Sequence, residues 1–404
     1  MSANGSPARP QLMRAMNEQL LLEHIRSADG VSRAELARIS GLAKNTVSFA
    51  LANLERANLV RPSGVRTGMP GPAAVLYEVR PEAGFVLGLD VGGQFLRGAV
   101  ADVSGAVRSR SSVKTQGSTG HARVTELIAL AESLANAAGI AMSDITQTVL
   151  GSPGVYDPRR DHLAFAGGLP GWEKPAVLAE LRRFLGPTLM IENDVDAAAL
   201  AEQAHGHGNG VDSFVFVSIG TGIGMGVVLD GRLHRGRHGA AGEIGFLPLH
   251  TDAAADDARD ARRRGSLEAA ASAAGVVRAA RRAGATGRVS AQQVFAAAAR
   301  GESWAERVVA EEAQLIARAI CAVVTVIDPE LVVLGGGIGR AAGFVDAVAV
   351  DLRRLAPVTP ELKVSALGAD AVVDGCLAAG LERAWVIVTA GIPTAAASEA
   401  SASA

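Results

Sequence analysis

The sequence predicts an α/β protein in which a small helical unit precedes two larger lobes. Residues 14–60 place apolar side chains at helical spacing, whereas from Phe85 onward short apolar strands alternate with amphipathic helices. This alternation indicates α/β layers. Two strand–glycine turn–strand units, at residues 85–102 and 213–233, indicate duplicated lobes that close over a cleft.

Composition limits the possible classes of protein. The 404 residues are 49% hydrophobic and 20% charged, which is enough for a sizeable core. The first ten residues lack the apolar segment of a signal peptide, and no apolar run has the length of a membrane span. Cys321 and Cys376 alone give no disulfide framework. We therefore expect a cytoplasmic protein without a membrane partner.

The amino-terminal 80 residues have the element order of a winged helix-turn-helix. A helix is expected over residues 14–28, and Ser32 with Glu35 has capping-box spacing at the start of a second helix that Gly41 ends. A third helix follows, and then a Gly/Pro-rich loop between two short apolar runs predicts a β-hairpin. Residues 1–10 and the tail, 393–404, have little to bury and are predicted to be disordered.

This first unit is predicted to bind double-stranded DNA. It holds ten basic and six acidic residues, a balance of +4, which leaves −6 on the remainder because the whole chain carries −2. The polar start of the third helix would face base edges in the major groove, and basic side chains would meet phosphates. A plain three-helix or dimerisation module is the alternative. The predicted DNA-binding residues are Lys44, Asn45, Thr46, Ser48 and Arg66.

Three glycine turns are candidates for binding phosphate. Asp90 ends a strand before two glycines, so its carboxylate could hold magnesium through water while glycine amides approach phosphate. A tight hairpin is an equally good explanation of any one turn, but the three together favour a phosphate site. The predicted phosphate-binding residues are Asp90, Gly92, Gly93, Gly220, Thr221, Gly222, Gly335, Gly336 and Gly337.

Four polar residues are candidates for gripping a sugar. Asn193 and Asp194 follow a buried strand, and an amide beside a carboxylate can hold vicinal hydroxyl groups. Asp194 could also accept a hydroxyl proton, although it could equally be a helix cap. Glu243 and Glu268 would add two acceptors.

The motifs LGLDVGG, GSPGVYDP, ENDVDAAALAE, SIGTGIGMG, HGAAGEIG, GSLEAAAS and VVLGGGIG resemble those of the ROK family of repressors, open reading frames and kinases. The resemblance implies a winged helix-turn-helix joined to a two-lobed, actin-like (ribonuclease H-like) sugar-kinase fold. The lobes would span residues 81–195 and 196–392, with the last helix packing back on the first lobe. The resemblance also implies that Asn193, Asp194, Glu243 and Glu268 bind sugar. In the kinases, which use ATP and magnesium, Asp194 would be the general base.

The sequence departs from the family motifs at two places. Phe246 stands where the family has a histidine that contacts sugar and zinc, and Ser266 stands where the last zinc cysteine belongs. Zinc is therefore predicted to be absent, no metal-binding residue is predicted, and Phe246 is expected to pack in the segment that zinc would organise. Gln94 replaces the threonine that kinases carry at their phosphate turn.

The predicted function is a sugar-responsive transcriptional repressor of carbohydrate-metabolism genes. A sugar or sugar phosphate in the cleft would change how paired helix-turn-helix units are held, so we expect a homodimer or homotetramer on a pseudo-palindromic operator. The first alternative is an ATP-dependent sugar kinase that also binds DNA, with Asp194 catalytic. The second is a regulator that no longer senses a ligand.

Overall fold

A computed structural model describes residues 8–67, 73–166, 169–249, 261–262 and 264–390, with side chains from Met13 onward. It consists of an amino-terminal helical unit and two five-stranded sheets with their helices. The predicted carboxy-terminal tail, residues 393–404, lies outside the described residues.

The amino-terminal unit contains three helices and a three-stranded sheet. The helices are α1 (Ala8–Arg26), α2 (Arg33–Ser40) and α3 (Lys44–Arg56), and the strands are β1 (Val31–Ser32), β2 (Val60–Arg66) and β3 (Ala74–Val79). The predicted capping box is present, because the Ser32 hydroxyl accepts from the Glu35 amide and the Glu35 carboxylate accepts from the Ser32 amide. The predicted hairpin is β2 with β3.

Two expectations for this unit were wrong. Helix α1 begins at Ala8, so residues 8–10, which we expected to be disordered, are helical. The sheet has the order β1-β3-β2, and its third strand was not predicted because two residues carry no periodicity. The core of the unit consists of fully buried aliphatic side chains, among them Leu21, Leu36, Val47, Leu51 and Leu54.

The first large sheet has the order β10-β7-β4-β5-β6. Its strands are β4 (Phe85–Val91), β5 (Phe95–Asp102), β6 (Val107–Lys114), β7 (Ile145–Ser152) and β10 (Met190–Asn193). A small hairpin of β8 (Val155–Asp157) and β9 (His162–Ala164) stands beside it, and helices α4 (Gly120–Ala137) and α5 (Pro175–Leu185) accompany it. Its central strand, β4, is buried along its whole length.

The second large sheet has the order β13-β12-β11-β14-β15. Its strands are β11 (Phe214–Ile219), β12 (Ile223–Leu229), β13 (Arg232–Leu233), β14 (Leu331–Gly335) and β15 (Glu361–Val364). In both sheets an antiparallel hairpin is continued by two parallel strands, which confirms the predicted duplication. The remaining helices are α6 (Asp194–His205), α7 (Ser266–Ala271), α8 (Ala273–Arg282), α9 (Ala291–Ala299), α10 (Ser303–Ile327), α11 (Gly336–Gly339), α12 (Phe344–Leu355) and α13 (Ala371–Ala390).

Helix α13 returns to the first sheet and also reaches the amino-terminal unit. Its Gly375 lies so close to α6 that a Cβ there would be 1.7 Å from the Ala197 carbonyl oxygen, and its Gly380 packs on Val86 of β4. Near its end, the Trp385 ring lies 4.9 Å beneath the Arg26 guanidinium of α1. One apolar cluster therefore joins α1, β4 and α13. Among the described residues, no helix is long and apolar enough to cross a membrane.

Candidate functional site

A cleft of about 1180 Å³ lies between the two large sheets and brings the four predicted sugar ligands together. Its walls include Asn193, Asp194, Glu243 and Glu268. The walls also include the predicted phosphate residues of the second sheet, except Gly335: Gly220, Thr221, Gly222, Gly336 and Gly337. Asp90, Gly92 and Gly93 of the first sheet do not line the cleft, but Gln94 and Arg97 do.

Asn193 and Asp194 stand where β10 passes into α6. The Asn193 Oδ1 accepts from the amides of Val195 (2.8 Å) and Asp196 (3.1 Å), so Asn193 is the helix cap. The alternative role of Asp194 as that cap was wrong, because Asp194 is already the first helical residue. The Asn193 Nδ2 donates to the Gly154 carbonyl at 3.0 Å, which ties the start of α6 to the loop after β7.

Asp194 and Glu243, two carboxyl groups of the cleft, have raised pKa values. Burial raises the pKa of Asp194. Burial, with the charges of Asp194 and Glu268, raises the pKa of Glu243 to about 7. The Glu268 Oε2 accepts from the Ile223 amide at 2.9 Å, which fixes this side chain against β12. With a pKa of about 7, Glu243 is present in both its protonated and its ionised form near neutral pH, so it can donate to or accept from a hydroxyl group.

Asp196, two residues after Asp194 in α6, is a further acid of the cleft that sequence reasoning did not select as a site residue. Asp196 is 3% exposed, and burial together with the charge of Glu192 raises its pKa to about 8. Its Oδ1 has no hydrogen-bond partner among the described residues. Glu192 is paired with Arg235, whose Nε lies 3.0 Å from Oε1. Since Asp196 and Arg235 come from distant parts of the chain, spacing gave no signal of this network.

The glycine turns use several of their polar groups internally. The Gly92 amide donates to the Phe95 carbonyl at 3.0 Å, and the carbonyls of Gly92 and Gly93 accept from Arg123 at 3.0 and 3.1 Å. The Gly220 amide donates to the Gly222 carbonyl at 2.9 Å. The amides of Gly92 and Gly220 are therefore engaged within their turns in this conformation and would have to exchange these partners to bind phosphate.

Asp90 is engaged by a basic residue that the sequence did not single out. Its Oδ2 accepts from Arg97 Nη1 at 3.1 Å, and burial together with the charge of Asp194 raises the pKa of Asp90 to about 7. Magnesium is bound by oxygen ligands, usually one or two carboxylates, and keeps several of its waters. A guanidinium group against a buried, partly protonated carboxyl opposes a divalent cation, so these residues do not fit a magnesium ion held through Asp90.

The expected packing of Phe246 in the segment that zinc would organise stays a prediction, because most of that segment lies outside the described residues. The Phe246 side chain is 44% exposed, and its ring contacts Phe165 with 5.9 Å between ring centroids. Within the described part of the chain, no three His, Cys, Asp or Glu side chains form a group that could hold a metal ion. His250 and most of the segment before α7 lie outside the described residues, and the absence of zinc stays a prediction.

The predicted DNA-binding residues divide into two groups. Lys44, Asn45 and Ser48 are exposed at the start of α3, and Thr46 is half-buried beside them. Arg66 lies on β2, where its Nη1 is 2.5 Å from the Glu35 carboxylate of α2. Arg66 therefore connects the sheet to α2, and it would have to exchange this partner to reach a phosphate.

Comparison with known proteins places this architecture in a family. The model of the ROK family matches residues 86–379, which span both large sheets. The chain belongs to the ROK family. Its curated ROK relatives include sugar kinases and xylose repressors.

Three ROK relatives illustrate this range. The bifunctional enzyme NanE/NanK of Brucella suis is 39% identical over 192 residues, 47% of this chain, and the match spans only about a third (34%) of that protein. The ROK hexokinase from Thermus thermophilus has 31% identity and a TM-score of 0.64, and the similarity covers 76% of this chain and 100% of the hexokinase. The fold of a ROK transcriptional regulator homologous to the MLC protein of E. coli covers 94% of this chain and 100% of its own, with a TM-score of 0.75 and 24% identity.

Proposed function

We propose that this ROK protein is a sugar-responsive, DNA-binding transcriptional regulator, and more specifically a repressor of carbohydrate-metabolism genes. The observation that carries the proposal is the amino-terminal unit of three helices and a sheet, whose apolar core continues into β4 and α13 of the ROK domain. Phosphorylation of a sugar does not by itself require such an addition. The similarity to the hexokinase covers 76% of the chain, whereas the regulator fold covers 94%.

In this proposal the first unit is a winged helix-turn-helix. The exposed start of α3 enters the major groove, where Asn45 and Ser48 face base edges and Lys44 meets a phosphate. The hairpin of β2 and β3 is the wing. Two units in a homodimer, or four in a homotetramer, read a pseudo-palindromic operator whose half-sites lie one or more helical turns apart.

The effector is a sugar or sugar phosphate bound by Asn193, Asp194, Glu243 and Glu268. Helix α13 is a physical connection between the cleft and the DNA reader. At its start, Arg97 in the cleft wall and Arg110 pair with Asp370, and near its end Trp385 packs under Arg26 of α1. A ligand that favours one arrangement of the two sheets shifts α13 and therefore the position of the reader.

We expect purified protein to protect a fragment of its own upstream region, and a cleft ligand to change that protection. Lys44→Ala should lower affinity for all sequences and reduce the salt dependence by about one phosphate contact, whereas Asn45→Ala should reduce discrimination between operator and random DNA by about 1–3 kcal/mol. Footprinting over a salt series measures both. Lys114→Ala, at an exposed position on β6, removes the same charge and should change neither. Absence of protection on every fragment at low salt would contradict the proposal.

The ATP-dependent kinase is the second candidate, because Asp194 and the Gly336–Gly337 turn both line the cleft. Against it stand the Arg97–Asp90 pair and the internally bonded glycine turns. We expect no sugar-dependent ADP release in a coupled assay with hexoses and amino sugars in the presence of magnesium. Turnover that disappears in Asp194→Asn would show that the enzyme function survives.

A further inference from the structure

Two large aromatic side chains, one of which lines the cleft, are exposed and contact each other. Phe165, which follows β9, is 64% exposed and lines the cleft, and Phe246 is 44% exposed. The rings meet edge to face, with an interplanar angle of 70°. Large apolar side chains are normally buried, so an exposed aromatic pair beside a polar cleft indicates a surface that something else covers.

The backbone holds Phe165 in an unfavourable conformation. Its φ of 61° is in the left-handed region, which bulky residues rarely adopt. Both neighbours are fixed: a Cβ on Gly154 would lie 2.4 Å from the Ala164 carbonyl oxygen, and the Ala166 amide donates to the Glu173 carboxylate at 2.6 Å. The strain therefore serves to project the Phe165 ring into the cleft instead of into the core.

Each ring is connected through the backbone to a predicted sugar ligand. Gly154, against which the backbone around Phe165 packs, accepts from Asn193 at 3.0 Å. The Phe246 amide donates to the Glu243 carbonyl at 3.2 Å, within the same turn. The aromatic pair therefore borders the hydroxyl-binding residues instead of lying elsewhere on the surface.

From this juxtaposition we infer that Phe165 and Phe246 form an aromatic subsite for a substituent linked to the bound sugar. The inference rests on the proposed sugar-binding role of the cleft. The substituent presents a flat apolar face, which either a second pyranose ring or an aryl aglycone provides. That face packs against the exposed surface of the aromatic pair.

The subsite prefers a substituted sugar because the side chain of phenylalanine cannot form a hydrogen bond with a sugar hydroxyl group. The side chain of phenylalanine offers no hydrogen-bond partner, so a sugar hydroxyl group that packs against it loses water without compensation. A substituted sugar presents apolar surface at that point and avoids this penalty. A glycoside should therefore bind more tightly than the corresponding free monosaccharide.

Calorimetric titration of the full-length protein tests the subsite. The probes are D-glucose, D-xylose and N-acetyl-D-glucosamine, each as the free sugar, as its phenyl β-glycoside and as its β-1,4-linked disaccharide. We expect the substituted form of the recognised sugar to bind about 10-fold more tightly than the free form, the advantage expected for one aromatic contact. A larger gain for the phenyl glycoside identifies an aryl aglycone, and a larger gain for the disaccharide identifies an oligosaccharide.

Variants distinguish binding by the aromatic subsite from binding by the four proposed sugar ligands, Asn193, Asp194, Glu243 and Glu268. Phe246→Ala and Phe165→Gly, the latter compatible with the positive φ, should each weaken the substituted ligand about 10-fold and leave the Kd of the free sugar unchanged. Phe184→Ala removes an equally exposed phenylalanine from α5, which does not line the cleft, and should change neither.

Equal affinity for free and substituted sugars in the unmodified protein would overturn the inference while leaving the proposed function intact. An equal loss for both ligands in the two cleft variants would also overturn it. If none of the nine probes binds, the inference is overturned, because no glycoside of these sugars is then a ligand, whereas the proposed sugar-phosphate effector is not contradicted by that result.

Discussion

Replacing Gly375 with alanine is expected to lower the free energy of unfolding by about 3 kcal/mol and to abolish ligand binding. In an ordinary helix interior this change would stabilise the protein by about 1 kcal/mol. At Gly375 the new Cβ would lie 1.7 Å from the Ala197 carbonyl oxygen, so α13 and α6 must separate. Asn193 caps α6 and Asp194 is its first residue. Separation of the two helices therefore also displaces these two proposed sugar ligands.

Urea denaturation and calorimetric titration measure the two effects. Gly368→Ala is the matched control, because a Cβ at Gly368 meets nothing within 4 Å, and it should leave both quantities nearly unchanged. A Gly375→Ala protein as stable as the parent, with ligand affinity retained, would show that the helices do not pack as described.

Replacing Asp196 with asparagine is expected to stabilise the protein, with a gain that grows with pH. The pKa of Asp196 is about 8 in the folded protein, against the usual value near 4 in the unfolded chain. Between these values the unfolded state has released the proton while the folded state still holds it, so the stability of the parent protein falls as pH rises through this window. The variant has no such proton and keeps its stability.

The gain should be small near pH 4 and reach about 5 kcal/mol at pH 8, above which it levels off. Denaturation curves at pH 5, 6.5 and 8 measure it. Asp212→Asn, at an exposed position before β11, should show no such trend. A gain that is constant with pH, or that falls as pH rises, would mean that Asp196 is ionised in the folded protein.

Local patterns in the sequence were sufficient to predict much of the fold and to select four polar residues that the structure brings to one cleft. The apolar runs of β4, β7, β11 and β14 are short and flanked by glycine turns, so the strands and their duplication were recognisable. Asp194, Glu243 and Glu268 lie in family motifs, and the structure brings them to one cleft. These features depend on neighbours in sequence or on a shared motif.

The features that escaped prediction depend on distant partners or on backbone geometry. The Arg235–Glu192 pair joins residues 43 positions apart, and Arg97 meets Asp90 only because β4 and β5 are adjacent. No residue pattern around Phe165 predicts its left-handed φ. The choice of Asn193 over Asp194 as the helix cap depends on where the first helical turn begins, which sequence patterns locate only to within a few residues.

The contact between Arg26 and Trp385 has a consequence for biosynthesis. Arg26 and Trp385 are separated by 359 positions in the sequence, so during synthesis α1 leaves the ribosome well before α13 does. The apolar surface of the first unit that packs on α13 therefore stays uncovered during that interval. The first unit can complete its packing on the rest of the chain only after α13 has been translated.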